Sequence, residues 1–359
     1  MKNQDYTIGI DLGDRKHEIC VFDGKEVIEQ KSILNTRGSF SALMSSYPNA
    51  RIVIEAGTHS PWISQHLQAK GHEVVVANPR NVRLISASDR KCDKKDAKLL
   101  ARLGHADIDL LSPIKHRGAD HQKLLSQLKS RECLVGSRTR LINHVRGSVK
   151  SLGERIDSSS APSFTKRASQ CLSAELLALF SPILKSIDTM SEEIKKLDKH
   201  LESFASANPA CMRMMQIPGV GPISALSFFS RVEDPSRFED NREVAAYLGL
   251  VPRRDQSGKV DKQLGISKRG DSYTRKLLVS CAQYILGRFG PDTDLRRFGL
   301  KLAGQNKSKA AKKKAVVAVA RKLSVLMLRL WRDDAVYEPV RNKRLEKELL
   351  TQGLITLNN

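Results

Sequence analysis

Apolar and polar positions alternate in short runs through the N-terminal third of the chain. Residues 6–12, Tyr-Thr-Ile-Gly-Ile-Asp-Leu, predict a strand with Asp11 near its end. Gly13-Asp14 predicts a turn. Residues 17–22 and 26–33 predict two more strands, joined at the hairpin pair Asp23-Gly24. A helix is expected over 38–46. Residues 51–57 then run nearly all apolar, the pattern of a strand buried on both faces, with Glu55 at its end. A helix over 60–69 and a strand over 72–77 follow. After a loop, Leu99, Leu100 and Leu103 take helical spacing behind Asp93 and Asp96, which fall in the first turn of that helix.

From about residue 117 the period lengthens. Leu124, Leu128, Ile142, Val145, Val149 and Leu152 recur with heptad spacing. The Ser-rich stretch 156–168, with Pro162, reads as a turn or loop. Ile183, Ile187, Met190, Ile194, Leu197, Leu201 and Phe204 then form a second seam. The two long helices read as a hairpin or as a dimerising coiled coil. Residues 212–227 predict helix, glycine turn, helix. A helix ends at Gly249, a polar loop covers 253–259, and a helix carries Tyr273. Beyond 280 the chain is helical, with an Ala- and Val-rich segment at 315–320. These patterns divide the chain into 1–115, a helical spacer 116–205, a mostly α domain 206–335 and a polar tail 336–359.

Three strands, then helix, strand, helix, strand, helix, is the order of the ribonuclease H-like fold. There Asp11 lies on the central strand and Glu55 ends its neighbour. Asp93 and Asp96 alone read as an ordinary helix start, where the helix dipole favours anions. With Asp11 and Glu55 they read as four carboxylates at the carboxyl ends of buried strands, where open α/β sheets place ligands. Divalent metal held in this way suits phosphodiester chemistry. Asp14, Glu18, Glu73 and Asp89 are set aside, because strand ends and a first helical turn suit the other four better.

Charge adds a partner. Sixty-one Lys and Arg stand against 39 Asp and Glu in 359 residues, a net +22. The excess is spread along the chain and points to a polyanion, most simply nucleic acid. No apolar run approaches the ~18 residues of a membrane span, and the N-terminus has no leader pattern. The six cysteines are scattered, as in a reducing cytoplasm. Arg138 and Arg146 lie on a basic helix face that is either solvated or tracks a phosphate backbone. Ile217-Pro218-Gly219-Val220-Gly221 resembles a helix-hairpin-helix turn, in which Gly219 and Gly221 let backbone N–H groups approach phosphate; an ordinary glycine turn is the other reading. Arg253, Arg254, Lys259, Lys268, Arg269 and Arg275 crowd Ser257. From chemistry alone Ser257 is either a loop residue or a nucleophile toward a phosphodiester, with the cations stabilising charge.

Asp11, Glu55 and Lys91-Cys92-Asp93-Lys94-Lys95-Asp96-Ala97 resemble the DEDD set of insertion-sequence family 110 transposases and the related Piv-type DNA invertases. Ile217 to Gly221, Tyr247-Leu248-Gly249-Leu250-Val251-Pro252, Ser257-Gly258 and Ile266-Ser267-Lys268-Arg269-Gly270 resemble that family's second signature. The resemblance covers nearly the whole chain. It implies a RuvC-like domain, a coiled-coil spacer and a mostly α transposase domain. It also implies Mg2+ (or Mn2+) on Asp11, Glu55, Asp93 and Asp96, with Ser257 as nucleophile forming a covalent serine–DNA intermediate. Donor and target DNA, a structured bridge RNA and a homo-oligomer (dimer or tetramer) are the implied partners, acting at the bacterial nucleoid. Cys92 stands where the family often has Ser or Thr, and Gln256 where another Ser is often seen; Ser267 and Ser272 are fallback nucleophiles. The competing expectations are a Piv-type invertase without guide RNA, a metal-dependent Holliday-junction-type endonuclease with no use for Ser257, and a non-catalytic nucleic-acid-binding scaffold.

Overall fold

The five strands expected in the first third are all present, with ends that differ by one or two residues. In a computed structural model, residues 6–80, 82, 92–257, 260–304 and 308–341 are described, with the backbone alone along 254–257 and 260–263. Strands β1 (Thr7–Asp11), β2 (Lys16–Phe22), β3 (Val27–Leu34), β4 (Arg51–Glu55) and β5 (Val74–Ala77) form one sheet in the order β3-β2-β1-β4-β5. The pairs β1–β2 and β2–β3 are antiparallel; β1, β4 and β5 are parallel. Helices α1 (Arg37–Ser46) and α2 (Ser60–Ala69) complete one layer. Ile8, Ile10, Ile52 and Ile54 bury against Phe40, Leu43, Ile63 and Leu67 on that face. Helix α3 (Asp93–Ala106) covers the other face: Ala97 and Ala101 pack with Cys20 and Phe22, and Leu100 packs with Val53. β4 is thus buried on both faces, as its unbroken apolar run predicts.

The chain divides into Met1–Ala119 and Asp120–Asn359. The second unit is mostly helical. Its long helices are α4 (Ala119–Ser151, 33 residues) and α6 (Ala174–Ala207, 34 residues), and the short α5 (Phe164–Cys171) lies between them in sequence. Ile142, Val145 and Val149 of α4 share a cluster with Phe164 and Ala168 of α5 and with Phe180, Leu184 and Ile187 of α6. Arg131 of α4 pairs with Asp198 of α6. The stretch read as a Ser-rich loop therefore contains a helix, whose Phe164 and Ala168 are fully buried. Leu152 falls past the end of α4 and is 52% exposed, and Phe204 is 50% exposed, so both drop out of the seams.

The remaining helices are α7 (Pro209–Met215), α8 (Pro222–Val232), α9 (Glu243–Tyr247), α10 (Ser272–Leu286), α11 (Asp294–Gly304) and α12 (Lys309–Arg332). They gather around Phe228, Leu278, Leu323 and Met327. The segment expected as a polar loop is instead an antiparallel ribbon of β6 (Pro252–Ser257) and β7 (Val260–Ile266). Its first strand, Pro-Arg-Arg-Asp-Gln-Ser, carries no apolar alternation to announce a strand. Tyr337, in the stretch expected as tail, packs against the helical core, and Pro339 O accepts from Asp294 N. No helix among the described residues is long and apolar enough to cross a membrane.

Candidate active site

The acidic centre is built by the way α3 lies on the sheet. A Cβ at Gly9 would stand 2.1 Å from Ala97 O and 2.4 Å from Ala101 N. Only glycine lets the helix backbone rest directly on β1. The helix runs back along the strand, since His105 at its far end meets Thr7, with 3.5 Å between Nδ1 and Oγ1. The first turn of α3 therefore lies at the carboxyl end of β1. Asp11, two residues after Gly9, points to the same face. One carboxylate oxygen from each of Asp11, Asp93 and Asp96 lies within 4.8 Å of the other two. Asp11 and Asp96 are half-buried and Asp93 is exposed. Gln30 Nε2 donates to Lys94 O at 3.3 Å, tying the same turn to β3.

Glu55 ends β4, one residue beyond the parallel pair Ile10–Ile54. It follows Val53 by two and so shares its face, on which a Cβ at Gly104 of α3 would come within 2.3 Å of Val53 Cγ2. It does not join the three-aspartate group. Glu18, set aside above, stands opposite Asp11 in the β1–β2 ladder and accepts from Ser32 Oγ. Asp14 is held by His59 Nε2 at 3.2 Å and Glu73 by Arg51 Nε at 3.0 Å. Asp89 lies outside the described residues. The role of Gly9 escaped the sequence reading; a lone glycine inside a β-branched strand was its signal.

The donor set is all oxygen. It holds neither thiolate nor imidazole, and hard divalent cations such as Mg2+ and Mn2+ take such sets. Three anions at one helix start are favoured by the dipole and repel one another, and a bound cation relieves that repulsion. The residues present thus fit a divalent metal.

The second unit separates its expected residues into two groups. Ser257 ends β6 opposite Val260. Its side chain and those of Arg254 and Lys259 lie outside the described residues. Arg253, Lys268 and Arg269 are exposed. Arg275, expected to face nucleic acid, instead donates through Nη1 to Leu248 O at 2.9 Å and Arg269 O at 3.0 Å, clamping the turn before α10. Arg138, expected on a basic face, is 8% exposed and donates to Ser191 Oγ at 3.1 Å in the α4–α6 seam. Burial pushes its pKa down. A heptad register places every seventh position alike whatever its charge, and Arg138 takes a position inside the seam. Arg146 reaches Asp157 O and Ser159 Oγ and lies over the Phe164 ring.

Gly219 has φ +88, and a Cβ there would stand 2.8 Å from Tyr284 Cδ1, so packing against α10 requires this glycine. Gly221 caps α8 and its Cβ position meets open space. Ser267 Oγ is buried, and Ser272 opens α10.

Comparison with known proteins addresses both units. A model described as a DEDD transposase of the IS110 type matches residues 8–153, and one described as the transposase IS116/IS110/IS902 family matches 211–296. The transposase for insertion sequence element IS1111A of Coxiella burnetii is 28% identical over 304 residues, covering 82% of this chain and 81% of that protein. A probable family 20 transposase of Pseudomonas aeruginosa is 26% identical over 339 residues, 92% and 98% of the two chains. The pilin gene-inverting protein of Moraxella bovis is 24% identical over 348 residues, 92% and 97%. The two models match in chain order, one spanning the acidic centre and the other the second unit's glycine turn and hairpin, and the chain belongs to the IS110 family of transposases.

Proposed function

We propose that this chain cuts and rejoins DNA strands to move or invert a DNA segment. Asp11, Glu55, Asp93 and Asp96 hold Mg2+ or Mn2+, and Ser257 is the nucleophile. The observation that carries the reading is the convergence of Asp11, Asp93 and Asp96 at the carboxyl edge of a parallel β-pair. The likeness to an insertion-sequence transposase and to a gene-inverting protein supports DNA as substrate. A cation held there would draw charge off the phosphoryl oxygens. Asp93 and Asp96 would supply oxygens from a helix turn pinned on Gly9 and Asp11 from the strand end, and Glu55, outside the three-aspartate group, would complete the set from the strand beside it.

Ser257 Oγ forms a bond to phosphorus and releases its proton. The displaced deoxyribose oxygen leaves and takes a proton. Rejoining reverses the exchange when another deoxyribose hydroxyl attacks the serine phosphodiester, so bond count is conserved and water is not consumed. Arg253 and Arg254 of β6, together with Lys259, Lys268 and Arg269, supply positive charge to the DNA. A structured bridge RNA selects donor and target, and the protein works as a dimer or tetramer.

Ser257→Ala is expected to abolish a detergent-stable protein–DNA adduct; an adduct that persists moves the nucleophile to Ser267 or Ser272. Mg2+ is expected to raise the melting temperature of the wild type and leave Asp11→Asn and Asp96→Asn unmoved. An equal rise in all three removes the metal assignment. One RNA of defined sequence copurifying with the protein supports the guide, and full recombination by RNA-free protein refutes it. The pilin-inverting relative favours one variant of the reading, inversion without excision, which is decided by whether circles or flipped segments form.

A further inference from the structure

We infer that the groove between the β6–β7 hairpin and α12 holds the DNA strand that Ser257 attacks, in unpaired form. The inference rests on the reading of Ser257 as nucleophile. The groove is a cavity of about 1020 Å3 within the second unit. Pro252, Leu264 and Ile266 of the hairpin form one wall and α12 forms the other. Ser257 ends the same strand that Pro252 begins, so the wall and the proposed nucleophile belong to one ribbon.

The α12 wall alternates by helical turn. Lys313 and Lys314 are followed by Val317 and Ala318, then by Arg321 and Lys322, then by Val325 and Leu326, then by Arg329, and all of them line the groove. Successive basic turns are thus eight residues apart, roughly 12 Å along the helix, with an apolar turn between them. Lys313, Lys314, Arg321 and Lys322 are exposed, and the apolar residues between them are half-buried. Lys322 Nζ stands 3.7 Å from the centroid of Phe298, which also lines the groove.

A purely electrostatic surface has no need of apolar steps, and an apolar docking groove has no need of seven basic residues, the five above with Arg242 and Arg341, against two acidic ones, Asp294 and Glu338. Both occur together where a backbone is tracked by cations while unpaired bases lie against apolar and aromatic side chains. A duplex keeps its base faces inside the stack and offers nothing to the apolar turns. The net positive lining favours an anionic occupant, and Ser257 lies on the same strand as Pro252, five residues or roughly 17 Å further along it, so a strand seated in the groove can run on to the proposed nucleophile.

The test uses the full-length protein and three probes of one sequence: a 20-nucleotide single-stranded DNA, its duplex, and the matching RNA. Arg321→Gln with Lys322→Gln is expected to lower single-stranded DNA affinity about tenfold and to reduce the slope of log affinity on log salt by about 1.4, two phosphates at ~0.7 each. Duplex affinity is expected to change less than twofold. A 5-iodouracil-substituted single strand is expected to photocrosslink to wild-type peptides containing Leu264, Phe298 or Val325. Equal losses for strand and duplex, stronger binding of the RNA than of the DNA strand, or crosslinks that map elsewhere each overturn the inference. Adduct formation separates this result from the reading it rests on. If Ser257→Ala removes the adduct while the double variant forms it as the wild type does, the groove inference falls and the nucleophile stands. If the wild type forms no adduct, the nucleophile falls and the binding result still decides whether the groove takes a single strand.

Discussion

Gly9 sets the distance between the strand and the helix that share the acidic centre. Its Cβ position lies 2.1 Å from a backbone oxygen, which cannot move without the whole helix. Gly9→Ala is expected to destabilise the first unit by about 3 kcal/mol and to weaken Mn2+ binding even where the protein still folds; calorimetric titration and urea unfolding measure the two effects. Cys92 shows the opposite case, a position that is not optimised. It is the N-cap of α3, in extended conformation, and its side chain makes no capping hydrogen bond. Cys92→Ser supplies the missing acceptor and is expected to stabilise the first unit by about 1 kcal/mol, read as a rise in melting temperature. Arg138 is the residue whose charge misled. Its Nε is buried with no hydrogen-bond partner. Arg138→Met is expected to leave stability unchanged or higher and DNA affinity unaltered, whereas loss of affinity in gel-shift titrations would restore it to the nucleic-acid surface.

At the scale of elements, legibility followed the presence of an apolar face. β1, β4 and β5 were readable because Ile8, Ile10, Ile52, Ile54 and Val76 must be buried and a sheet buries alternate positions. α3 was readable because Leu99, Leu100 and Leu103 share a helical face. The β6–β7 ribbon was not readable: Arg-Arg-Asp-Gln-Ser on its first strand offers no apolar residue to mark a period of two. α5 was hidden for a related reason. Its eight residues bury only Phe164 and Ala168, too little for a periodic signal amid serines. The acidic centre divides in the same way. Asp93 and Asp96 follow from local helix signals and Asp11 from a strand end, but their meeting depends on the missing side chain at position 9. No local pattern records that kind of long-range contact.

Across the whole molecule, acid is expected to act unevenly. His17, His72 and His116 all lie in the first unit, and burial holds each below its ordinary 6.5. A histidine with a lowered folded pKa binds fewer protons folded than unfolded. Its contribution is present above pH 6.5 and is lost as pH falls below that value toward the folded pKa. Unfolding of residues 1–119 is therefore expected to become easier between pH 7 and pH 5 while the second unit holds. His17→Leu, at a fully buried position beside Phe40, is expected to flatten that dependence. Hydrogen exchange resolved by segment checks both, and a pH-independent first unit would count against it.

The α4–α6 pair carries one further consequence, for how its length can change. Between Leu128 and Val149 lie 21 positions, three heptads and roughly 32 Å of helix. Removing seven residues from each helix at matched levels shortens the pair by about 10 Å and returns every surviving seam residue to its own azimuth. Removing four from one helix turns everything beyond the cut by roughly 40° and carries polar side chains into the seam. The length of this pair is quantised, and related chains that differ in it are expected to differ by whole heptads.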